Sequence, residues 1–123
     1  MTSEEPPRGV AAERLAARML EERGLRIAAT NYRSRAGEID IVATLGNLIV
    51  FVEVKERTGE RFGSAEEALD GAKLRRILAT ADVFVAEHPE YADYIWRIDL
   101  VAITLKRDGT ILRRRHIENL IVD

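Results

Sequence analysis

Asp40, Glu53 and Lys55 are the residues of this 123-residue chain whose types and spacing best suit chemistry. They lie in Gly37-Glu-Ile-Asp40 and Phe51-Val-Glu-Val-Lys55, where charge interrupts segments that otherwise have the apolar pattern of strands. Between them, Gly46-Asn47 is a pair of the kind that closes a two-residue hairpin loop. The stretch therefore predicts antiparallel strands with Leu45 opposite Leu48 and, counting back, Asp40 opposite Glu53. Facing residues share a side of the sheet with Cβ atoms roughly 4.5–5.5 Å apart, and two like charges so placed need something positive between them. Alternation turns Lys55 to the same side as Glu53. Carboxylates on adjacent strands are good oxygen ligands for Mg²⁺ or Mn²⁺, hard cations that complete their shells with water and phosphate oxygens. A lysine beside them orients or helps deprotonate an attacking water and stabilises developing negative charge. The trio has the outline of a phosphodiester-hydrolysing site using in-line attack by a metal-activated water. The alternative is a buried ion-pair network that fixes strand register.

Several elements must position these groups. Residues 1–8 contain two prolines and two glutamates without periodicity and read as a tail, which leaves 9–123 as a single domain. From Gly9 to Arg23 the spacing of Val10, Ala16, Ala17, Met19 and Leu20 predicts a helix that stops at Gly24. Glu13 shares a side with Ala16, Ala17 and Leu20, so it lies beside the apolar stripe. If this helix packs across the strand ends, Glu13 becomes a third carboxylate at the site. Leu25–Arg33 alternates imperfectly and predicts a first strand, with a loop at Ser34–Gly37. The second strand of the hairpin is apolar on both sides, Leu48, Val50, Val52 and Val54 on one and Ile49 and Phe51 on the other, the pattern of a covered central strand. Arg57–Gly63 is read as a loop, and Ser64-Ala-Glu-Glu67 as a capping box. It opens a helical region that runs to His88 before Pro89, with Gly71 as a possible break. Trp96–Leu105 is a third apolar-rich strand, carrying Arg97 and Asp99. Arg107-Asp108-Gly109 then turns the chain into a last strand, Thr110–Ile117. These elements make a mixed α/β layer structure around a central sheet.

Composition narrows the chemistry. At 46% hydrophobic and 33% charged residues the chain is that of a globular domain. Its apolar runs are far shorter than the ~18–20 residues that cross a bilayer, and no signal-peptide pattern opens the sequence, so a cytoplasmic location without membrane partners is expected. The absence of cysteine rules out disulfides, thiolate nucleophiles and Cys-ligated zinc, and His88 and His116 are too far apart in sequence to suggest a histidine zinc site. A net charge of -2 argues against coating nucleic acid through bulk charge. Two local clusters remain: Arg23, Arg26, Arg33 and Arg35 lie in a stretch without acids, and Lys106–Arg115 holds five basic residues against Asp108. Each is suited either to phosphate contact or to a solvated, charge-guarded edge.

With these residues in view, Asp40, twelve intervening residues and Glu53-Val-Lys55 resemble the core of the PD-(D/E)XK nuclease superfamily. Taken with Glu13, Asn31-Tyr-Arg33, Gly37-Glu-Ile-Asp40, Arg57, Phe62-Gly63, Lys73 and Arg97-Ile-Asp99, the string resembles an uncharacterised bacterial endonuclease-like family related to archaeal Holliday-junction resolvases. The match covers roughly residues 9–105. Ile39 stands where the namesake proline would precede Asp40. The resemblance implies a restriction-endonuclease-like fold, a central mixed β-sheet flanked by α-helices. It also implies Asp40 and Glu53 as ligands of Mg²⁺ or Mn²⁺, Lys55 as the catalytic lysine, Glu13 as the helix-one glutamate, and phosphate contacts from Arg33, Arg35, Arg57 and Lys73. The expected partner is DNA, including branched or damaged DNA, acted on by a homodimer. The competing expectation is a non-catalytic module on the same scaffold that binds nucleic acid or a DNA-processing partner.

Overall fold

A computed structural model of the chain describes residues 8–59 and 70–120. The apolar stripe of the N-terminal segment forms helix α1, Arg8–Glu22. It closes where the main-chain N–H groups of Gly24 and Leu25 donate to the carbonyls of Glu21 and Leu20, a Schellman arrangement that satisfies two of the helix's last carbonyls. Strands β1 (Arg26–Ser34), β2 (Gly37–Leu45) and β3 (Leu48–Thr58) follow. Helix α2 (Gly71–Glu87) and a short 3-10 turn at Pro89–Tyr91 lead to β4 (Ile95–Leu105), and β5 (Ile111–Ile117) is the last strand.

The strands form one sheet in the order β1-β2-β3-β4-β5. Only β3 and β4 are parallel; α2 lies in the connection between them, the longer crossover that parallel neighbours require. The predicted register of the hairpin holds from Leu45 opposite Leu48 to Ile41 opposite Val52. Gly46 takes φ +59 and Asn47 does not turn positive, the glycine-first form of a two-residue loop.

β3 is covered on both faces, as its sequence predicts. Val50 and Val52 pack with Ala12, Ala16 and Leu20 of α1, while Ile49 and Phe51 pack with Ile77, Ala81 and Phe84 of α2. Burying side chains of this size stabilises by about 1.5–3 kcal/mol each, which fixes the central strand between its two helices. This mixed α/β architecture, a sheet with a helix on each face, is the restriction-endonuclease-like arrangement expected from the sequence. No helix of the described residues is long and apolar enough to cross a membrane.

One strand boundary differs from the expectation, and the break allowed for at Gly71 is met. Arg57 and Thr58, read as loop, continue β3 because β4 offers them partners in Thr104 and Leu105. α2 begins at Gly71, capped by Asp70, whose carboxylate accepts the Lys73 N–H at 2.9 Å. The Ser64–Glu67 capping box and Phe62-Gly63 lie outside the described residues, as do residues 1–7. The imperfect alternation of β1 also has a cause: the register slips between Ile27 and Ala29, and Asn31 takes φ +52, a left-handed conformation that asparagine tolerates better than most residues.

Candidate active site

The β2–β3 ladder stops at Ile41 and Val52, while β3 runs on beside β4 to Thr58. The two strands of the hairpin part at the level of Asp40 and Glu53. Asp40 spans the opening: its Oδ2 accepts the main-chain N–H of Val54 at 2.7 Å, replacing a ladder bond with a side-chain one. β2 also rotates here, since Ile39 packs on the α2 side while Ile41 packs on the α1 side. On the other neighbour, the pairs Thr30–Ile41 and Tyr32–Ile39 set Asn31 level with Asp40.

A hollow of about 360 Å³ opens at this point, and Glu38, Asp40, Glu53, Lys55, Lys73 and Arg76 contribute to its wall. Glu53 is 5% exposed. Its Oε2 receives Lys73 Nζ at 2.6 Å and Lys55 Nζ at 3.4 Å, so a buried carboxylate is matched by two ammonium groups. Burial raises the Asp40 carboxyl, the Val54 N–H offsets part of that, and the nearby Glu53 charge raises it further, to about 7. The two lysines move in opposite directions. Burial and Lys73 hold Lys55 below the usual lysine range despite Glu53. Burial also opposes charge on Lys73, but its bond to Glu53 outweighs this and holds it above. Lys55 is therefore the amine more readily deprotonated, and Lys73 the standing counter-charge.

Glu13 does not line this hollow. It faces a smaller one of about 180 Å³ with Thr30 and Asn31, where Oε1 is buried without a partner among the described residues. Burial raises the Glu13 carboxyl, a hydrogen bond with Asn31 lowers it, and Glu38 raises it; its charge also reaches Asp40. Among the described residues no three Asp, Glu, His or Cys side chains are grouped so as to hold one metal ion. Asp40 and Glu53 form a pair, and a pair suits a hard cation that draws its other ligands from water and phosphate. The raised Asp40 carboxyl, due first to burial and then to the Glu53 charge, fits this, because a desolvated carboxyl beside a second carboxylate gains by exchanging its proton for a cation.

The basic residues named from sequence divide by position. Lys73, carried by the first turn of α2, belongs to the hollow. Arg33 is exposed and pairs with Glu38 at 3.2 Å, which places it beside the rim. Arg57 is exposed and shares the alternation of Glu53 and Lys55 along β3. Arg35 is exposed in the β1–β2 turn. Arg76, one turn further along α2, also lines the hollow.

Sequence reasoning assigned no role to a second polar cluster on the other face of the sheet. Asp99 is fully buried and bonds Arg97 and His116. Its visible signal was an acid inside the apolar run Trp96–Leu105, but the partner His116 comes from a different strand.

The model of the uncharacterised protein family UPF0102 matches residues 12–103, which span most of α1, all of α2 and β3, and the whole carboxylate hollow. The chain belongs to the UPF0102 family. A UPF0102 protein of Pelotomaculum thermopropionicum is 39% identical over 111 residues, covering 90% of this chain and 92% of its own. UPF0102 proteins of Azorhizobium caulinodans and Methylococcus capsulatus are 47% and 44% identical over 102 residues, covering 83% of this chain and 75% and 81% of theirs. UPF0102 membership thus rests on almost the whole length of the domain, including every residue named in the hollow.

Proposed function

We propose that this UPF0102 chain is a metal-dependent nuclease that hydrolyses phosphodiester bonds in DNA. The observation that carries the reading is the Asp40–Glu53 carboxylate pair at the parting of β2 and β3, with Lys55 and Lys73 both on Glu53. Asp40 and Glu53 would hold Mg²⁺ or Mn²⁺. When bound, the cation supplies stabilisation for the negative charge that builds on the phosphoryl oxygens. The chain's own side chains do the rest. Lys55, held as an ammonium beside Glu53, orients the attacking water and offsets the developing negative charge, and the water's proton passes to solvent as the new P–O bond forms. The far P–O bond breaks in line, and its oxygen leaves with a proton from solvent. Lys73 holds the Glu53 carboxylate in place, while Arg76 at the wall and Arg57 further along β3 supply phosphate contacts. Glu13 acts through its charge on Asp40 from the adjoining hollow.

A second reading is favoured by one observation: both lysines are engaged by Glu53, an arrangement that also suits a stable, non-catalytic binding scaffold. A cleavage assay with Mg²⁺ or Mn²⁺ over single-stranded, duplex, flap and four-way-junction DNA separates the two. Wild type is expected to cut, and Lys55→Ala to lose about 10²-fold or more in rate. Equal rates for the two would sink the catalytic assignment, while DNA binding that survives in Asp40→Ala and Glu53→Ala, together with no metal-dependent product from wild type, would favour the binding module.

A further inference from the structure

We infer that Lys73 and a divalent cation compete for Glu53: the Lys73 ammonium sits where Mg²⁺ or Mn²⁺ would bridge Glu53 and Asp40, and the cation enters by displacing it. The inference rests on the reading of Asp40 and Glu53 as cation ligands and gives α2, through Lys73, control over how readily they are loaded.

The two ion pairs of Glu53 are unequal. Lys73 Nζ lies 2.6 Å from Oε2, the short end of a charge-assisted bond, while Lys55 Nζ lies 3.4 Å from the same oxygen. A carboxylate oxygen offers about two lone-pair directions, and two ammonium groups on Oε2 use both. Mg²⁺ takes an oxygen at about 2.0–2.1 Å, closer than the ammonium now stands. The two cannot share one side of Oε2.

Position and charge single out Lys73 as the group that gives way. Glu53 and Asp40 share a hydrogen bond, and the charges of both act on Lys73. An ammonium within reach of both carboxylates covers the ground that a shared divalent ion needs. Lys73 also has a way out, since its side chain is 30% exposed and the cap of α2 uses only its main-chain N–H. Lys55 is carried by the same strand as Glu53 and turned to the same side, so it stays beside the carboxylate as the cation enters. A divalent ion added to both lysines would gather three cationic groups around two carboxylates. Moving Lys73 towards solvent relieves that repulsion and leaves Lys55 to orient water. Lys73 thus holds the Glu53 carboxylate in place until a cation takes over the hold.

Calorimetry of the full chain with Mg²⁺ and Mn²⁺ as probes tests this, beside nitrogen NMR of the lysine ammonium groups during a Mg²⁺ titration of wild type. Lys73→Met, a residue of similar helix propensity, is expected to bind either cation several-fold tighter than wild type, because no part of its population is closed by the ammonium. Lys73→Gln keeps a neutral donor for Glu53; it should also bind tighter, and serves where Lys73→Met fails to fold. Arg76→Gln removes a charge from the same wall that is not paired with Glu53 and should tighten binding less. The Lys73 signal of wild type should move as Mg²⁺ is added, a readout that needs no variant. Binding no tighter in both Lys73 variants than in Arg76→Gln overturns the proposal, as does a Lys73 signal that saturating Mg²⁺ leaves in place, the behaviour of a fixed structural salt bridge. Equal affinity in wild type and Asp40→Asn would remove the cation site itself, a different failure from Asp40-dependent binding that ignores Lys73. Cleavage is not read, so a catalytically inactive hollow leaves the result standing.

Discussion

Asp40 holds a proton on a group that the proposed chemistry needs ionised. Its folded pKa of about 7 lies above the ordinary 3.8, so the folded chain binds a proton that the unfolded chain releases. The resulting stability is complete below the ordinary carboxylate range and is lost as pH rises through about 7. Asp40→Asn keeps the shape and still offers an oxygen to the Val54 N–H, but has nothing to ionise. In metal-free buffer the variant is expected to melt higher than wild type at about pH 8, by on the order of a few kcal/mol, with the gap closing by about pH 4. Thermal melts across that range check it, and a gap independent of pH would show that burial and Glu53 do not hold the Asp40 carboxyl up. At this scale much was legible. The register as far as Ile41 opposite Val52 and the side taken by Lys55 follow from a two-residue turn and alternation, which are local rules; the expected pairing of Asp40 with Glu53 is not a ladder pair, because β2 parts from β3 and rotates there. Lys73 as the nearest partner of Glu53 was not legible, because it arrives from a helix with no fixed register to β3.

The first turn of α2 determines where Lys73 and Arg76 sit. Asp70 caps it by accepting the Lys73 N–H, so the cap and the counter-charge of the hollow are one piece of structure. Asp70→Ala is expected to lower the melting temperature on the order of a few degrees, with Asp70→Asn or Asp70→Ser restoring most of the loss. The Lys73→Ala variant, by contrast, should change the Asp40 titration more than the melting temperature, measured by carboxyl NMR. An Asp70→Ala variant as stable as wild type would mean that α2 is placed by Ile77, Ala81 and Phe84 alone. Gly71 was visible in the sequence as a break in the helical run. Asp70 as the cap was not distinguished, because aspartate before glycine serves turns and helix starts equally well.

For the whole molecule, a cation held by the carboxylate pair, as proposed, would make its binding and folding one equilibrium. Any cation that binds the folded hollow and not the unfolded chain stabilises by about 2.7 kcal/mol at a hundredfold excess over its Kd, on the order of 10 °C for a domain of this length. Mg²⁺ or Mn²⁺ is therefore expected to raise the melting temperature of wild type and to leave Asp40→Asn unmoved, and scanning calorimetry with each cation checks it. An equal rise in both would place the cation elsewhere. The sequence by itself determined the hairpin register, the double-sided burial of β3 and the presence of two carboxylates with a lysine on one side, since each depends on alternation, turn chemistry and residue type. Only the tertiary structure decided that β2 parts from β3 and rotates at Asp40, that Lys73 reaches Glu53, that Glu13 faces an adjoining hollow, and that Asp99 meets His116. These depend on how helices and non-neighbouring strands pack against one another, and packing between distant segments leaves no periodicity in the chain to read.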